Sequence, residues 1–455
     1  MNSSRRELGA LFRLAWPMIT TQLFIMATGF LDTAMAGQYN AVDLAAVALA
    51  GNVMWPLFML TSGITMALTP IVAQMVGAKE TEHSGVRIRQ GLWIALASSA
   101  LLVICLNHTE WLFVWAGIDA EVTRIAQDYL AAVSWGIPPV MLYVALRNTS
   151  EGLGHTIPPM VIAGSVLPLN AALNYGLIYG EFGLSELGGV GCGYATAIVF
   201  WTELLLMMFV VRRPFFRATG AFSKFSGPKL SEIWRIVQVG LPIGLTMFVE
   251  MAVFAVIGFL IGRIGVVELA AHSIAGNLNW LTYVIPSTLG AAAGIRVGFY
   301  VGSGNFAGAR LAAATAYRFA LSYAIVVSVL LILLRHVLVQ AYSQDPAVLE
   351  MAATLLIFIA VYQIVDDTQA VAGGTLRGYK DTRMPMVYGL VGYWLIALPL
   401  GYVLAFQGLG PLEPSGVYGF WGAMTFGLAL VAVAITTRLY RTANSDERIQ
   451  RFAVL

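Results

Sequence analysis

Long runs of apolar residues dominate the chain. Leu14–Phe30, Val53–Val76, Leu92–Leu106 and Met160–Tyr179 contain no charged residue, and neither do Phe319–Leu334 and Leu390–Phe406. Ala195–Val211 and Leu241–Ile261 contain one acid each, Glu203 and Glu250. A helix needs roughly 20 such residues to cross the hydrocarbon core of a bilayer. The pattern predicts twelve spans, near 11–37, 46–77, 88–107, 122–147, 158–180, 190–212, 235–262, 270–302, 310–335, 346–373, 384–406 and 416–440. They fill the chain and leave no room for a soluble domain. The expected class is therefore an all-α membrane protein.

Composition agrees with that pattern. Charged residues make up 11% of the 455 residues and hydrophobic ones 58%, whereas a soluble domain carries about 25% charged residues. The first apolar run follows Arg5 and Arg6, is too long for a signal-peptide core, and is read as the first span. Cys105 and Cys192 lie in or beside apolar runs. They are read as small packing residues, not as a disulfide framework or metal site.

Loop charge sets the expected orientation. Arg212–Arg235 holds Arg212, Arg213, Arg217, Lys224, Lys229 and Arg235 against Glu232 alone. Cytoplasmic loops are rich in Lys and Arg, so this loop is placed inside. Six spans precede it, which puts both termini inside as well. The other inside segments carry Lys79, Arg87, Arg89, Arg147, Arg310, Arg377, Lys380 and Arg383, while Asp43, Glu110, Asp119, Glu181, Glu186, Asp345 and Glu413 fall outside.

The chain also repeats itself. Asp43–Trp55 matches Glu268–Trp280 at a shift of 225, with seven of thirteen positions identical, including a Gly-Asn pair and a Trp. At the same shift Pro17 falls on Pro242, Gly37 on Gly262, Ser62 on Ser287 and Gly77 on Gly302. Two copies of about six spans each are expected, as parallel repeats. The expected division is residues 1–220, including the start of the basic linker at 212–235, and residues 221–455.

Acids inside spans are functional candidates, because a charge at the bilayer centre costs about 2.5–3.5 kcal/mol. Asp32, Glu250, Asp366 and Asp367 are the candidates for binding a proton or cation. Adjacent helical residues point about 100° apart, so Asp366 and Asp367 are expected to face different neighbours, with Asp366 the stronger candidate for the site. Carboxylates bind hard cations such as Na⁺ through oxygen and also bind protons, so the coupling ion is expected to be Na⁺ or H⁺, with no other cofactor. Tyr362, Phe254 and Gln363 are candidate cation or substrate contacts, aromatic faces being suited to organic cations. Glu203 has no neighbour in sequence that suggests a site. Arg296 is expected to snorkel towards the inner surface. The five histidines form no metal-ligand spacing. The sequence carries no P-loop, nucleophile elbow, zinc motif or basic aromatic patch, so ATP-driven pumping, enzymatic chemistry and nucleic-acid binding are excluded.

Several segments together resemble the multidrug and toxic compound extrusion (MATE) family, and within it the bacterial NorM-type branch. They are Gly29–Gly37, Pro70–Gln74, Leu187–Gly193, Val249–Val256, Tyr362–Asp366 and Gly374–Asp381. The resemblance implies twelve helices in two pseudo-symmetric six-helix bundles. It also implies efflux of cationic drugs and dyes in exchange for Na⁺ or H⁺, by a monomer in the bacterial inner membrane. It implies a second-half cation site containing Glu250 and Asp366, the candidate Na⁺ ligands, with Tyr362 beside it. In the first half it implies that Asp32 links protonation to substrate release. The alternatives are a lipid or oligosaccharide flippase of related fold, and a different transporter built from a two-fold repeat.

Overall fold

The structure is a computed structural model that describes residues 2–408, 410 and 413–453. Among these residues every regular element is helical. The helices are α1 (Asn2–Tyr39), α2 (Ala41–Thr65), α3 (Leu68–Gly77), α4 (Ser84–Asn107), α5 (Glu110–Trp115), α6 (Ala120–Ser134), α7 (Ile137–Gly152), α8 (Ile157–Tyr179) and α9 (Gly189–Val211). They continue with α10 (Pro214–Arg217), α11 (Leu230–Gly262), α12 (Val266–Gly302), α13 (Phe306–Gln340), α14 (Pro346–Gly378), α15 (Arg383–Leu390), α16 (Leu398–Tyr402), α17 (Val417–Ala443) and α18 (Asp446–Ala453). Two π-helical segments, Val391–Ala397 and Val403–Gln407, flank α16.

Among the described residues eleven helical stretches are each long and apolar enough to cross a membrane. The pair α6 and α7, bent by 52°, makes a twelfth when counted as one span. The chain is thus a multi-pass membrane protein. Helices suit that setting because each satisfies its own backbone hydrogen bonds where no water is present to do so. The repeat reappears in the span limits: Ala41–Gly77 and Val266–Gly302 are both 37 residues long and start at positions separated by the repeat shift. The first copy is interrupted by a turn between α2 and α3, whereas the second runs unbroken as α12.

The chain forms two compact units, one of residues 16–244 and the other of residues 1–15 with 245–455. The sequence alone puts the division at 220/221, in the basic linker, with outer limits at residues 1 and 455 that lie outside the described residues. The units divide instead within α1 and within α11. Each of these helices begins in one unit and ends in the other.

In the first unit the start of α11 lies directly against α2. A Cβ added at Gly240 would overlap the carbonyl oxygen of Ile64, and one at Gly244 that of Leu60. The basic linker is strapped to α4. Arg89 donates to the carbonyls of Gly220 and Ala221, both at 2.9 Å, and to Ser226 Oγ at 2.7 Å. The Lys229 backbone N–H donates to Gln90 Oε1 at 2.7 Å, and Arg87 pairs with Glu232. In the second unit, buried Glu7 receives Arg296 Nε and Nη2 at 2.8 and 2.7 Å, and the Tyr300 hydroxyl at 2.8 Å. Arg296 therefore has a protein partner and does not need to reach for the membrane surface.

Close helix approach positions the second unit's polar residues. Gly290 and Gly294 on α12 face Gly374 and Gly378 on α14, and a Cβ at Gly374 or Gly378 would collide with the backbone of Gly290 or Gly294. Two small-xxx-small patterns thus meet face to face, an arrangement that allows backbone-to-backbone packing in membrane helices. It brings the polar residues further along α12 against the middle of α14.

Candidate functional site

Asp32 lies on α1 in the first unit, partly buried. Its Oδ1 accepts hydrogen bonds from Asn174 Nδ2 at 2.7 Å and Asn170 Nδ2 at 3.0 Å, both on α8. Its Oδ2 accepts from Thr196 Oγ1 on α9 at 3.3 Å. The Cys192 thiol, also on α9, lies within hydrogen-bonding reach of the same carboxylate. The two amides are themselves linked, with Asn174 Nδ2 donating to Asn170 Oδ1 at 3.2 Å, and Asn174 Oδ1 is buried without a partner among the described residues. Gly191 makes the arrangement possible, because a Cβ there would overlap the carbonyl of Leu177 on α8. The glycine-rich start of α9 therefore serves close helix packing and brings Cys192 and Thr196 to α8 and α1. Cys192 is more than a packing residue, since its thiol meets a carboxylate.

Glu250, Asp366 and Asp367 come together in the second unit. Glu250 on α11 bonds with Gln369 and is attracted by Arg377, both on α14. Asp366 accepts a hydrogen bond from Asn279 on α12 and lies in the field of Glu250 and Asp367. Asp367 turns elsewhere: its Oδ1 accepts from Gln363 Nε2 at 2.5 Å, and Gln363 Oε1 accepts from Thr282 Oγ1 at 2.9 Å. The two neighbouring acids thus have different partners, as the 100° helical step requires. Both are nearly inaccessible, at 6% and 0% exposed. Asn279 Oδ1 and Asp367 Oδ2 are buried oxygens without a hydrogen-bond partner among the described residues.

Tyrosines close the acid cluster. Tyr283, Tyr362 and Tyr393 all lie in the field of Glu250 and Asp366, and the Tyr362 and Tyr393 hydroxyls are bonded to each other. Tyr393 and Trp394 belong to the first π-helical segment. Such segments reorient side chains and recur at functional sites. Here Trp394 Nε1 donates to the carbonyl of Val249 at 3.1 Å, immediately before Glu250. The Tyr362 ring is buried edge-on against Trp421, with centroids 5.6 Å apart. Its hydroxyl, not its ring face, is therefore the group presented to the acids. Phe254, one turn beyond Glu250, packs against the apolar core of the unit. His272 is buried beside Trp421, with ring centroids 5.7 Å apart.

The acids stand out in the sequence, but the groups that hold them do not. Asn170 and Asn174, four residues apart in an otherwise apolar span, are a readable signal. Asn279, Gln369 and the π-helical tyrosines carry none. Among the described residues no group of three or more His, Cys, Asp or Glu side chains is arranged to hold a metal ion. A hard cation in the second unit would have to add amide, hydroxyl or carbonyl oxygens to the carboxylates. The orphaned oxygens of Asn279 and Asp367 fit that need.

The MatE family model matches residues 17–176 and 242–403. The multidrug resistance protein PmpM of Pseudomonas aeruginosa is 40% identical over 98% of this chain and 95% of its own. The multidrug resistance protein NorM of Vibrio vulnificus is 36% identical over 99% of both chains. Among solved structures, the eukaryotic MATE transporter AtDTX14 has a TM-score of 0.89 at 21% identity, covering 99% of each chain, and supports the fold.

Proposed function

We propose a cargo and a coupling mechanism for a chain that belongs to the MatE family of multidrug and toxic compound extrusion transporters, and so is a transporter and not an enzyme. The protein exports organic cations, among them drugs and dyes, in exchange for Na⁺ or H⁺ by alternating access. It works as a monomer in the bacterial inner membrane with both termini in the cytoplasm. Each half supplies one six-helix bundle.

One observation carries the coupling assignment. In the second unit three carboxylates, Glu250, Asp366 and Asp367, lie together, and the guanidinium of Arg377 acts on Glu250. Uncompensated charge is expensive inside a membrane, so this cluster requires added positive charge. A proton or a Na⁺ supplies it, with Glu250 and Asp366 as principal ligands and the Tyr362 hydroxyl and Gln363–Asp367 pair fixing their surroundings. Release of that cation drives a conformational change only if the two states bind it with different affinity. Asp32, held by neutral amides and a hydroxyl, is the first half's acid, exchanging its proton as cargo leaves. Among these site residues the acids outnumber the bases, with Asp32 in the first unit and Glu250, Asp366 and Asp367 beside Arg377 in the second, which favours cationic cargo over the anionic headgroups a flippase would bind.

The test is dye efflux from proteoliposomes under an imposed Na⁺ gradient or an imposed pH gradient. Glu250→Gln and Asp366→Asn should each abolish efflux driven by the productive gradient while inserting at normal levels. Unchanged coupled efflux in both variants would remove the second-unit site from the mechanism.

A further inference from the structure

A second cluster of ionisable side chains lies in the first unit, apart from Asp32. Tyr143, Arg147 and Glu151 follow one another at intervals of four along α7 and so share one helix face. Arg147 Nε lies 3.4 Å from Glu151 Oε1. From α9, Glu203 faces the same guanidinium. Glu151 and Glu203 are each only 7% exposed. The residues around Glu203 on its own helix, Phe200, Leu204 and Met207, belong to an apolar cluster that also contains Tyr143.

The charges do not balance. Arg147 and Glu151 form a pair within α7, which leaves Glu203 as a surplus buried carboxylate. The other charged groups on elements packed around α7 and α9 are engaged or solvated. On α4, Arg87 is taken by Glu232, and Arg89 by Gly220, Ala221 and Ser226. On α6, Arg124 and Asp128 pair with each other at the surface. On α2, Asp43 is bonded to the Gly189 backbone N–H, at the opposite end of α9. Arg212, Arg213 and Arg217, beyond the end of α9, are exposed. An unpaired buried carboxylate is strongly disfavoured unless it is neutralised.

A further observation points into the same place. Tyr143 is 2% exposed, and its hydroxyl has no hydrogen-bond partner among the described residues. The charged group acting most strongly on it is Glu203. A buried hydroxyl without a partner beside a surplus carboxylate is the surrounding that a carboxylic acid completes, since each can bond the other.

We propose that Glu203 is a proton-binding site distinct from Asp32, holding a carboxylic acid beside Tyr143 while Arg147 remains with Glu151. The exchange is Glu203–COOH to Glu203–COO⁻, with the proton passing to or from water. Ionised Glu203 needs Arg147 as its counter-charge, so its proton occupancy follows the position of α7 relative to α9. The span bends by 52° between α6 and α7, so α7 carries its three side chains as a separate straight segment. The proposal does not depend on whether Glu250, Asp366 or Asp32 carries the coupling ion.

The experiment is infrared difference spectroscopy of the full chain in liposomes, between acidic and alkaline buffer. The wild type should show a carbonyl-stretch band of a protonated carboxylic acid that disappears as pH rises. Glu203→Gln should lose that one band, Tyr143→Phe should shift its frequency, and Asp32→Asn should retain it. If Glu203→Gln does not fold, Glu203→Asp should move the band instead. A full set of titrating bands in Glu203→Gln would overturn the proposal. So would a Glu203 band present at every pH, which would make the residue a fixed hydrogen-bond donor.

Discussion

Asp32 shows why the residues around an acid matter as much as the acid. Its Oδ1 takes two amide N–H groups and its Oδ2 one longer hydroxyl bond. Hydrogen bonds to an ionised group contribute about 1.5–3 kcal/mol. If these bonds stabilise the charged form during transport, Asn174→Ala should slow dye efflux from proteoliposomes by about tenfold or more, the rate equivalent of that energy. Thr196→Val, which removes the 3.3 Å bond, should slow it less. Equal rates in Asn174→Ala and wild type would mean that Asp32 does not work as a carboxylate held by these amides. At this scale the sequence is legible only in part. Asp32, Glu250 and the Asp366–Asp367 pair are visible because a charge interrupts an apolar run. Glu203 is equally visible, but its significance comes from Arg147 on another helix. Asn279 and Gln369 are invisible because an amide in a span fits ordinary packing as well as it fits a site.

At the scale of elements, the starts of α1 and α11 are held by equivalent devices. Glu7 and Glu232 occupy matching positions at the repeat shift of 225. Glu7 is gripped by Arg296, and Glu232 by Arg87. The matching of spans was readable from Gly-Asn and Trp at fixed spacing. The division within α1 was not, because the partner of Glu7 lies 289 residues away and nothing local marks it. Burial of Glu7 makes its unpairing costly. Arg296→Met alone leaves a buried carboxylate without a counter-charge and should destabilise the protein, on the order of 2 kcal/mol. The double variant Glu7→Gln, Arg296→Met leaves no orphan charge and should recover much of that loss. Melting temperatures of the purified variants in one detergent check this. If the two single losses simply add in the double variant, the pair is not energetically coupled.

For the whole molecule, the informative feature is that the scaffold is duplicated and the candidate site acids are not. At the repeat shift Asp32 corresponds to Ile257, and Glu250 to Ile25, while Asp366 and Asp367 fall on Met141 and Leu142. The structure deepens this asymmetry. The first unit surrounds Asp32 with neutral amides and a hydroxyl, which can serve a carboxylate that gains and loses a proton. The second gathers three acids with one arginine and orphaned oxygens, which suits a retained cation. Two such sites with different chemistry should be separable. If Na⁺ drives efflux, Asp32→Asn should still bind Na⁺ with wild-type heat in calorimetry while failing to export dye. Glu250→Gln should lose the Na⁺ heat and the coupled efflux together. The reciprocal measurement uses dye binding: if the cargo binds without that carboxylate, Glu250→Gln should keep it. Loss of Na⁺ binding in Asp32→Asn to the same degree as in Glu250→Gln would mean that the two units share one cation site, and that the asymmetry of their acids does not divide the work between them.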